Sequence, residues 1–181
     1  MTSGGSAIES PARDPIPPHI NTETSLPHQT HIIDSMSWKA ICQCGLSEIS
    51  LPGPPKGLFI CHCLSCRKQS SSAFGMSAYY PANSIPLSHP TLKTYERPAE
   101  SGYIITGYFC EKCGCRLVHV NSRGYISVKG GAIEGCEKLD WGGATHVFTR
   151  SKLPWVVIPE GVKVFEGQAR WGKEVWIESL R

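Results

Sequence analysis

Eight of the nine cysteines of this chain fall into three short clusters, and this grouping constrains the fold more than any other feature of the sequence. The clusters are CQCG at 42–45, CHCLSC at 61–66 and CEKCGC at 110–115. Thiols that lie two or three residues apart can bind one ion from a single tight turn, at a zinc–sulfur distance of about 2.3 Å. The spacing therefore predicts that the chain binds zinc.

The composition favours metal sites over disulfide bonds. The 181 residues, of which 40 % are apolar, are sufficient for one domain with a hydrophobic core. Because the sequence shows neither a membrane-length apolar run nor a secretory signal pattern, we expect a cytoplasmic protein without a membrane partner. In a reducing compartment a high cysteine count indicates metal binding. The net charge of +3, without clustered basic residues, argues against a nucleic-acid partner.

The chain divides into two parts of different character. Residues 1–36 contain five prolines and nine Ser or Thr but no cysteine, which predicts a disordered N-terminal tail with solvated histidines. Residues 37–181 are predicted to form a single domain. Its short apolar segments are strand candidates and predict a mostly antiparallel β structure: 57–60, 103–109, 116–120, 124–129 and 161–165. Helix is expected only at LSCRKQSS, from position 64, and in the last dozen residues.

The first and third clusters match as two halves of one site. Each pair of thiols is followed by a glycine, Gly45 or Gly114, which lets the backbone fold back tightly. Joining the halves gives a closed, structural four-cysteine site, which can supply much of the folding free energy. An alternative ligand to Cys113 is Cys115. The predicted ligands are Cys42, Cys44, Cys110 and Cys113.

The middle cluster offers only three sulfurs: Cys61, Cys63 and Cys66. In an extended segment His62 points away from its two neighbours, whereas a tight turn would make it the fourth ligand. If His62 is not a ligand, the site keeps one exchangeable position, as catalytic zinc sites do. Three thiolates on zinc carry a net negative charge, which Arg67 and Lys68 are placed to offset. Such a sulfur-rich site suits a thiol ligand better than hydrolysis.

Three motifs follow one another along the chain: CxC-Gly, CHCxxCRK and FCxxCG. Together with the segment HVFTRSKLPW at 146–155, they resemble the motifs of the GFA family. The namesakes of this family are the glutathione-dependent formaldehyde-activating enzyme and centromere protein V. The resemblance spans about residues 38–165. It implies a mainly β fold, the zinc-binding β-tent of the Rab-exchange-factor-like superfamily. It also implies two zinc ions, a structural one on the four cysteines named above and a reactive one on the middle three.

The predicted function is a zinc-dependent carbon–sulfur lyase that acts on glutathione or other thiol adducts of a small electrophile or metabolite. Its predicted catalytic residues are Cys61, Cys63, Cys66, Arg67 and Lys68. Candidates for a general acid or base, by chemical type alone, are His62, His119 and His146. The alternative is a non-catalytic zinc scaffold for a protein or chromatin partner, with Trp155, Trp171 and Trp176 as a possible contact surface.

Overall fold

The computed structural model describes residues 38–169, which contain nine β-strands, one α-helix and four short 3-10 helices. The predicted tail over 1–36, its histidines and the helix expected in the last dozen residues lie outside this range. No helix within it has the length and apolar character needed to cross a membrane. The architecture confirms the prediction of a mainly β chain with antiparallel sheets and few short helices.

A short hairpin precedes the main sheet. Strands β1 (Lys39–Ile41) and β2 (Glu48–Ser50) pair antiparallel and form this hairpin. Seven strands form the main sheet: β3 (Gly57–Cys61), β4 (Gly75–Tyr80), β5 (Leu92–Pro98), β6 (Ile104–Cys110), β7 (Arg116–Asn121), β8 (Ile126–Lys129) and β9 (Thr145–Val147). Their order is β5-β6-β7-β8-β4-β3-β9. The β3–β9 pair is parallel and the other neighbours are antiparallel.

Four of the five strand candidates are confirmed, as β3, β6, β7 and β8. The strand expected at 161–165 is wrong. Its backbone makes a single bridge at Val164, because Lys163 O and Phe165 N both bond to His146 and no ladder continues beyond them. Strand β5 was not anticipated, since most of its side chains are exposed and its sequence lacks an apolar alternation.

The two faces of the main sheet have opposite character. Side chains of adjacent residues alternate between faces, so each strand contributes to both. One face packs into the main hydrophobic core through Ala78, Tyr80, Val118, Ile126 and Val128. The other face is more polar and lines a large cleft, to which these strands contribute Ser77, Tyr79, His119, Ser127 and Lys129.

The helix α1 (Leu64–Ser70) confirms the helix expected at LSCRKQSS. It begins after Cys63, whose Sγ caps the helix by accepting a hydrogen bond from Cys66 N at 3.4 Å. It ends at Ser71, which has left-handed φ of 49°. The cap and the first turn therefore bring two of the middle-cluster thiols to the N-terminal end of this helix.

Candidate metal centres

Four thiols of the first and third clusters converge at one point. The sulfurs of Cys42, Cys44, Cys110 and Cys113 all lie within 4.8 Å of one another. The Cys42–Cys44 distance is 3.6 Å and the Cys44–Cys110 distance is 3.8 Å. Tetrahedral zinc with bonds of about 2.3 Å would separate its sulfur ligands by about 3.8 Å. The spacing of this four-thiol group therefore fits a zinc ion held entirely by the protein.

Two similar turns position the four-thiol group. Gly45 has φ of 76° and its N–H donates to Cys42 O, while Gly114 has φ of 70° and donates to Cys110 O. Glycine tolerates this left-handed conformation, which closes each turn beneath its thiols. The Ser47 N–H also donates to Cys42 Sγ at 3.2 Å. Such amide–sulfur hydrogen bonds orient and stabilise thiolate ligands.

The Ser47 side chain is a further support that the sequence did not reveal. Its hydroxyl is buried and lies 2.6 Å from the Thr91 hydroxyl. Its hydrogen bonding is the largest cause that lowers the pKa of the Cys110 thiol, to about 6. Ser47 therefore favours the thiolate form, which is the form that binds metal.

The two cysteines left over lie outside the four-thiol group. The thiol of Cys115 faces Arg116 O at 4.0 Å, and its side chain packs against the main core together with Cys136. The structure thus puts Cys113 rather than Cys115 beside the other three sulfurs. None of the nine cysteines forms a disulfide bond.

The middle cluster forms a second group, the three-thiol group, with the Cys61, Cys63 and Cys66 sulfurs within 4.8 Å of one another. Within residues 38–169, no other Cys, His, Asp or Glu joins it. Cys61 ends β3 and lies opposite Gly75 of β4. A Cβ on Gly75 would lie 3.1 Å from the Cys66 Cβ, so the missing side chain makes room for this thiol.

The three thiols differ in acidity when no cation lies between them. Hydrogen bonding from Cys61, and then from Cys66, lowers the pKa of Cys63 to about 2. The same contact with Cys63 raises the pKa of Cys61. One thiolate therefore forms readily, and a metal cation is needed to ionise the remaining thiols together. This donor set fits zinc, with one ligand fewer than a closed site.

His62 turns away from the sulfurs that flank it. Its ring is fully buried, with Nε2 at 2.9 Å from Nδ1 of His146 and the two rings stacked at a centroid distance of 5.2 Å. Phe74 contacts it edge-on. The extended backbone at 61–63 thus sends alternate side chains to opposite sides. Neither His62 nor His146 lines the cleft.

The three-thiol group opens onto a cleft of about 1440 Å³. The aromatic side chains of Phe59 and Phe148 flank the thiols on its wall. The charged residues that line it comprise four cations, Arg97, Arg123, Lys129 and Arg150, and two carboxylates, Glu100 and Glu166. Because Arg150 is paired with Glu100, the net positive charge comes mainly from the other cations. The cleft is therefore suited to an anionic ligand.

The family model described as "Glutathione-dependent formaldehyde-activating enzyme" matches residues 37–151. The chain belongs to the GFA family. No curated protein matches it. A solved structural-genomics target from Rhodobacter sphaeroides is similar to the GFA chain at 21 % identity and a TM-score of 0.47, over 60 % of this chain and 99 % of that one.

The two basic residues that follow the middle cluster of this GFA chain do not line the cleft. Arg67 is half-buried and its Nη1 donates to Ser151 O at 3.2 Å. Lys68 is exposed on the next position of α1. Their predicted charge-balancing role therefore stays a prediction, and other cations of the GFA fold lie in the cleft itself.

Lys129 is a cleft residue of the GFA chain that sequence reasoning missed. It is 8 % exposed, and its Nζ donates to Ser77 Oγ at 3.2 Å. Burial lowers its pKa, while the charges of Cys66 and Cys61 oppose that effect. A lysine in the alternating segment ISVK looks like an ordinary solvent-facing strand residue, so the sequence carries no local signal for its burial.

His119 is the one histidine candidate that lines the cleft. Its Nε2 lies 3.1 Å from Arg116 Nη1. Burial lowers its pKa, and the nearby charges of Lys129 and Arg116 lower it further. These effects favour the neutral imidazole of His119 at physiological pH. A general acid would need the protonated imidazolium instead.

Proposed function

We propose that this GFA-family protein is a zinc-dependent carbon–sulfur lyase that acts on a glutathione or other thiol adduct of a small electrophile. The observation that carries the proposal is the three-thiol group, which lacks a fourth protein ligand within residues 38–169 and opens onto a cationic cleft. The four-thiol group holds a second, structural zinc in this proposal. Family membership supports the glutathione-linked substrate class.

The reactive metal is held by Cys61, Cys63 and Cys66 in this proposal. When bound there, zinc supplies an exchangeable position that takes a sulfur ligand and favours its thiolate form. The protein contributes the fixed arrangement of the three donors, since Cys63 caps α1 and Gly75 leaves room for Cys66. Open catalytic zinc sites have this pattern of three protein ligands.

The cleft residues bind and orient the rest of the thiol adduct. The cations Arg97 and Arg123 attract carboxylate groups such as those of glutathione. Lys129 lines the cleft and interacts electrostatically with Cys61 and Cys66, whereas Arg67 and Lys68 do not line the cleft. Phe59 and Phe148 give the apolar part of the wall that limits water around the reacting sulfur.

The alternative, a non-catalytic scaffold for a protein or chromatin partner, also has an observation in its favour. Trp155 and Val157 are 70 % and 86 % exposed, which is unusual for large apolar side chains. Trp171 and Trp176 lie outside the described residues. A pure scaffold, however, has no use for an incomplete ligand set at the wall of a cleft, so we favour the enzyme.

We also propose that residues 37–181 form one GFA domain after an N-terminal tail, and that the protein works in the cytoplasm. Cysteines grouped for metal binding, with none in a disulfide bond, suit a reducing compartment. The main core and the smaller thiol-containing core both lie in the described part of this domain.

The test combines metal counting with turnover of a defined adduct. Wild-type protein should contain two zinc ions and should accelerate exchange between glutathione plus formaldehyde and their S-hydroxymethyl adduct, measured by NMR. Cys63→Ser should contain one zinc ion, remain folded and lose this activity. The matched control is Cys136→Ser, which changes a cysteine of neither group and should keep both properties.

Two results would overturn the proposal. A folded wild-type protein with two zinc ions that does not accelerate the exchange is not this lyase. A Cys63→Ser variant that keeps both zinc ions and full activity would show that the three-thiol group is not the reactive site.

A further inference from the structure

The cleft face of the sheet carries a row of polar residues that leads away from the three-thiol group. Ser77 of β4 is the diagonal neighbour of Cys61 on β3, and Lys129 of β8 lies directly opposite Ser77. His119 of β7 pairs with Ser127, which makes it the diagonal neighbour of Lys129. Diagonal neighbours are about 7 to 8 Å apart or closer, so their side chains can converge on one small ligand.

Lys129 has unused hydrogen-bonding capacity. An ammonium group carries three N–H donors, and within residues 38–169 the polar side chain that accepts from Lys129 is Ser77. No carboxylate in that range forms an ion pair with it. Because a buried cation is stabilised by negative charge close to it, Lys129 is suited to bind an anionic group in the cleft.

His119 is held in one tautomer by its neighbour. A guanidinium group can only donate, so Arg116 Nη1 donates to His119 Nε2 and the ring proton lies on Nδ1. The Cδ2 edge of the ring faces β6, since a Cβ on Gly107 would lie 3.1 Å from that atom. The opposite edge, with Nδ1–H, therefore faces the side of β8, the strand that carries Lys129.

We propose that Lys129 and His119 form an oxyanion-binding pair, whose Nζ–H and Nδ1–H groups donate to the oxygen of the thiol adduct as it becomes negatively charged. The inference rests on the proposed function. In the addition step the substrate thiolate attacks the carbonyl carbon of a small aldehyde. The carbon–sulfur bond forms, the carbonyl π bond breaks, and its electron pair moves to the oxygen, which then takes a proton from cleft water.

The reverse step breaks the carbon–sulfur bond and restores the carbonyl. In both directions the oxygen is more negative in the transition state, and in the alkoxide next to it, than in the aldehyde or the protonated adduct, so fixed donors contribute most there. A neutral His119 is suited to this task, because it donates a hydrogen bond without needing to gain or lose a proton. Both residues are thus catalytic residues that contact a reacting atom.

Removal of either donor should slow the chemical step. Lys129→Met and His119→Leu should each lower kcat for glutathione–formaldehyde exchange about 10²-fold, the usual effect of losing one oxyanion donor. The KM for glutathione and the content of two zinc ions should stay close to wild type. His119→Asn, which keeps an N–H near the Nδ1 position, should restore most of the lost activity. Lys56→Met changes an exposed residue outside the cleft and serves as the matched control for Lys129→Met.

Two further measurements separate a donor from a general base. In ¹⁵N-histidine-labelled protein, NMR should show His119 protonated on Nδ1 alone near neutral pH. This readout does not depend on activity. The pH profile of turnover should keep its shape in His119→Asn, since His119 does not titrate in the proposed step.

The outcomes distinguish this inference from the proposed function. A wild-type protein without exchange activity overturns the proposed function, and with it the pair. If wild type is active but Lys129→Met and His119→Leu match it, the pair alone is wrong. A proton on Nε2, an imidazolium at neutral pH, or a lost limb of the pH profile in His119→Asn would likewise overturn the role assigned to His119.

Discussion

The two thiol groups of this protein use the same ligand atom but differ in completeness and surroundings. The four-thiol group shares the main core with the β1–β2 hairpin, and two of its members, Cys42 and Cys110, are buried there. The three-thiol group belongs to a smaller core with Val147 and Phe148 and lines the cleft. Under the proposed function, ligand count and position on the sheet, rather than ligand type, separate a structural site from a reactive one.

The largest effect should come from breaking the four-thiol group. A structural zinc contributes about 10 kcal/mol or more in zinc-finger peptides, whereas the stability of a whole domain is about 5–15 kcal/mol. Cys42→Ser should therefore abolish cooperative thermal unfolding, measured by calorimetry, and release the structural zinc. A Cys42→Ser variant that unfolds cooperatively near the wild-type Tm would show that this group does not hold the fold together.

The same substitution in the three-thiol group should leave the fold intact. Cys63 lies at the cleft wall and caps a short helix, so Cys63→Ser should change the unfolding free energy by about 1 kcal/mol, which shifts Tm by about 4 °C or less. Calorimetry of the two serine variants under identical conditions checks the contrast. Equal losses of stability would mean that both groups are structural.

A smaller chemical change, at Gly75, should weaken zinc binding at the three-thiol group. In Gly75→Ala the new Cβ would lie 3.1 Å from the Cys66 Cβ, so the start of α1 must shift by a few tenths of an ångström. We expect a cost of about 1–3 kcal/mol in stability from overpacking and weaker zinc binding at the three-thiol group, measured by chelator competition.

Gly57→Ala is the control for this strand glycine. Its Cβ would make an ordinary contact of 3.6 Å with the Phe59 ring. Zinc affinities should stay at wild-type values in this variant. If Gly75→Ala also keeps the wild-type zinc affinities, the room that Gly75 leaves for Cys66 does not shape the three-thiol group.

The smallest effect should be a shift in the acid stability of the structural zinc. Ser47 lowers the pKa of Cys110, so Ser47→Ala should raise it and let protons compete with the metal at higher pH. Zinc release on acidification, followed with a chromogenic indicator, should then begin at higher pH, by less than about one unit. In Ser47→Ala the Thr91 hydroxyl keeps a hydrogen-bond partner, since it also lies 2.8 Å from His89 Nδ1. Release at lower pH than wild type would contradict the role of Ser47.

Local spacing explains how much of the site could be predicted. Thiols two or three residues apart are brought together by one turn, so the clusters at 42–44, 61–66 and 110–115 could be identified without a fold, while the choice between Cys113 and Cys115 stayed open. The direction of His62 stayed open because it depends on whether 61–63 is extended or turned. The strand at 161–165 was wrong, because an apolar segment pairs into a ladder only if a neighbouring strand is available along its length.

The sequence by itself determined the cysteine clusters that could hold metal, the family and the mainly β class, because these follow from short-range motifs and residue types. Only the tertiary structure decided which polar residues line the cleft beside the three-thiol group, since Arg97, His119 and Lys129 come from three different strands. Only every second side chain of a strand points to a given face of the sheet, so each strand contributes one or two residues to the cleft. No local pattern marks those residues, and their convergence is a property of strand order and register.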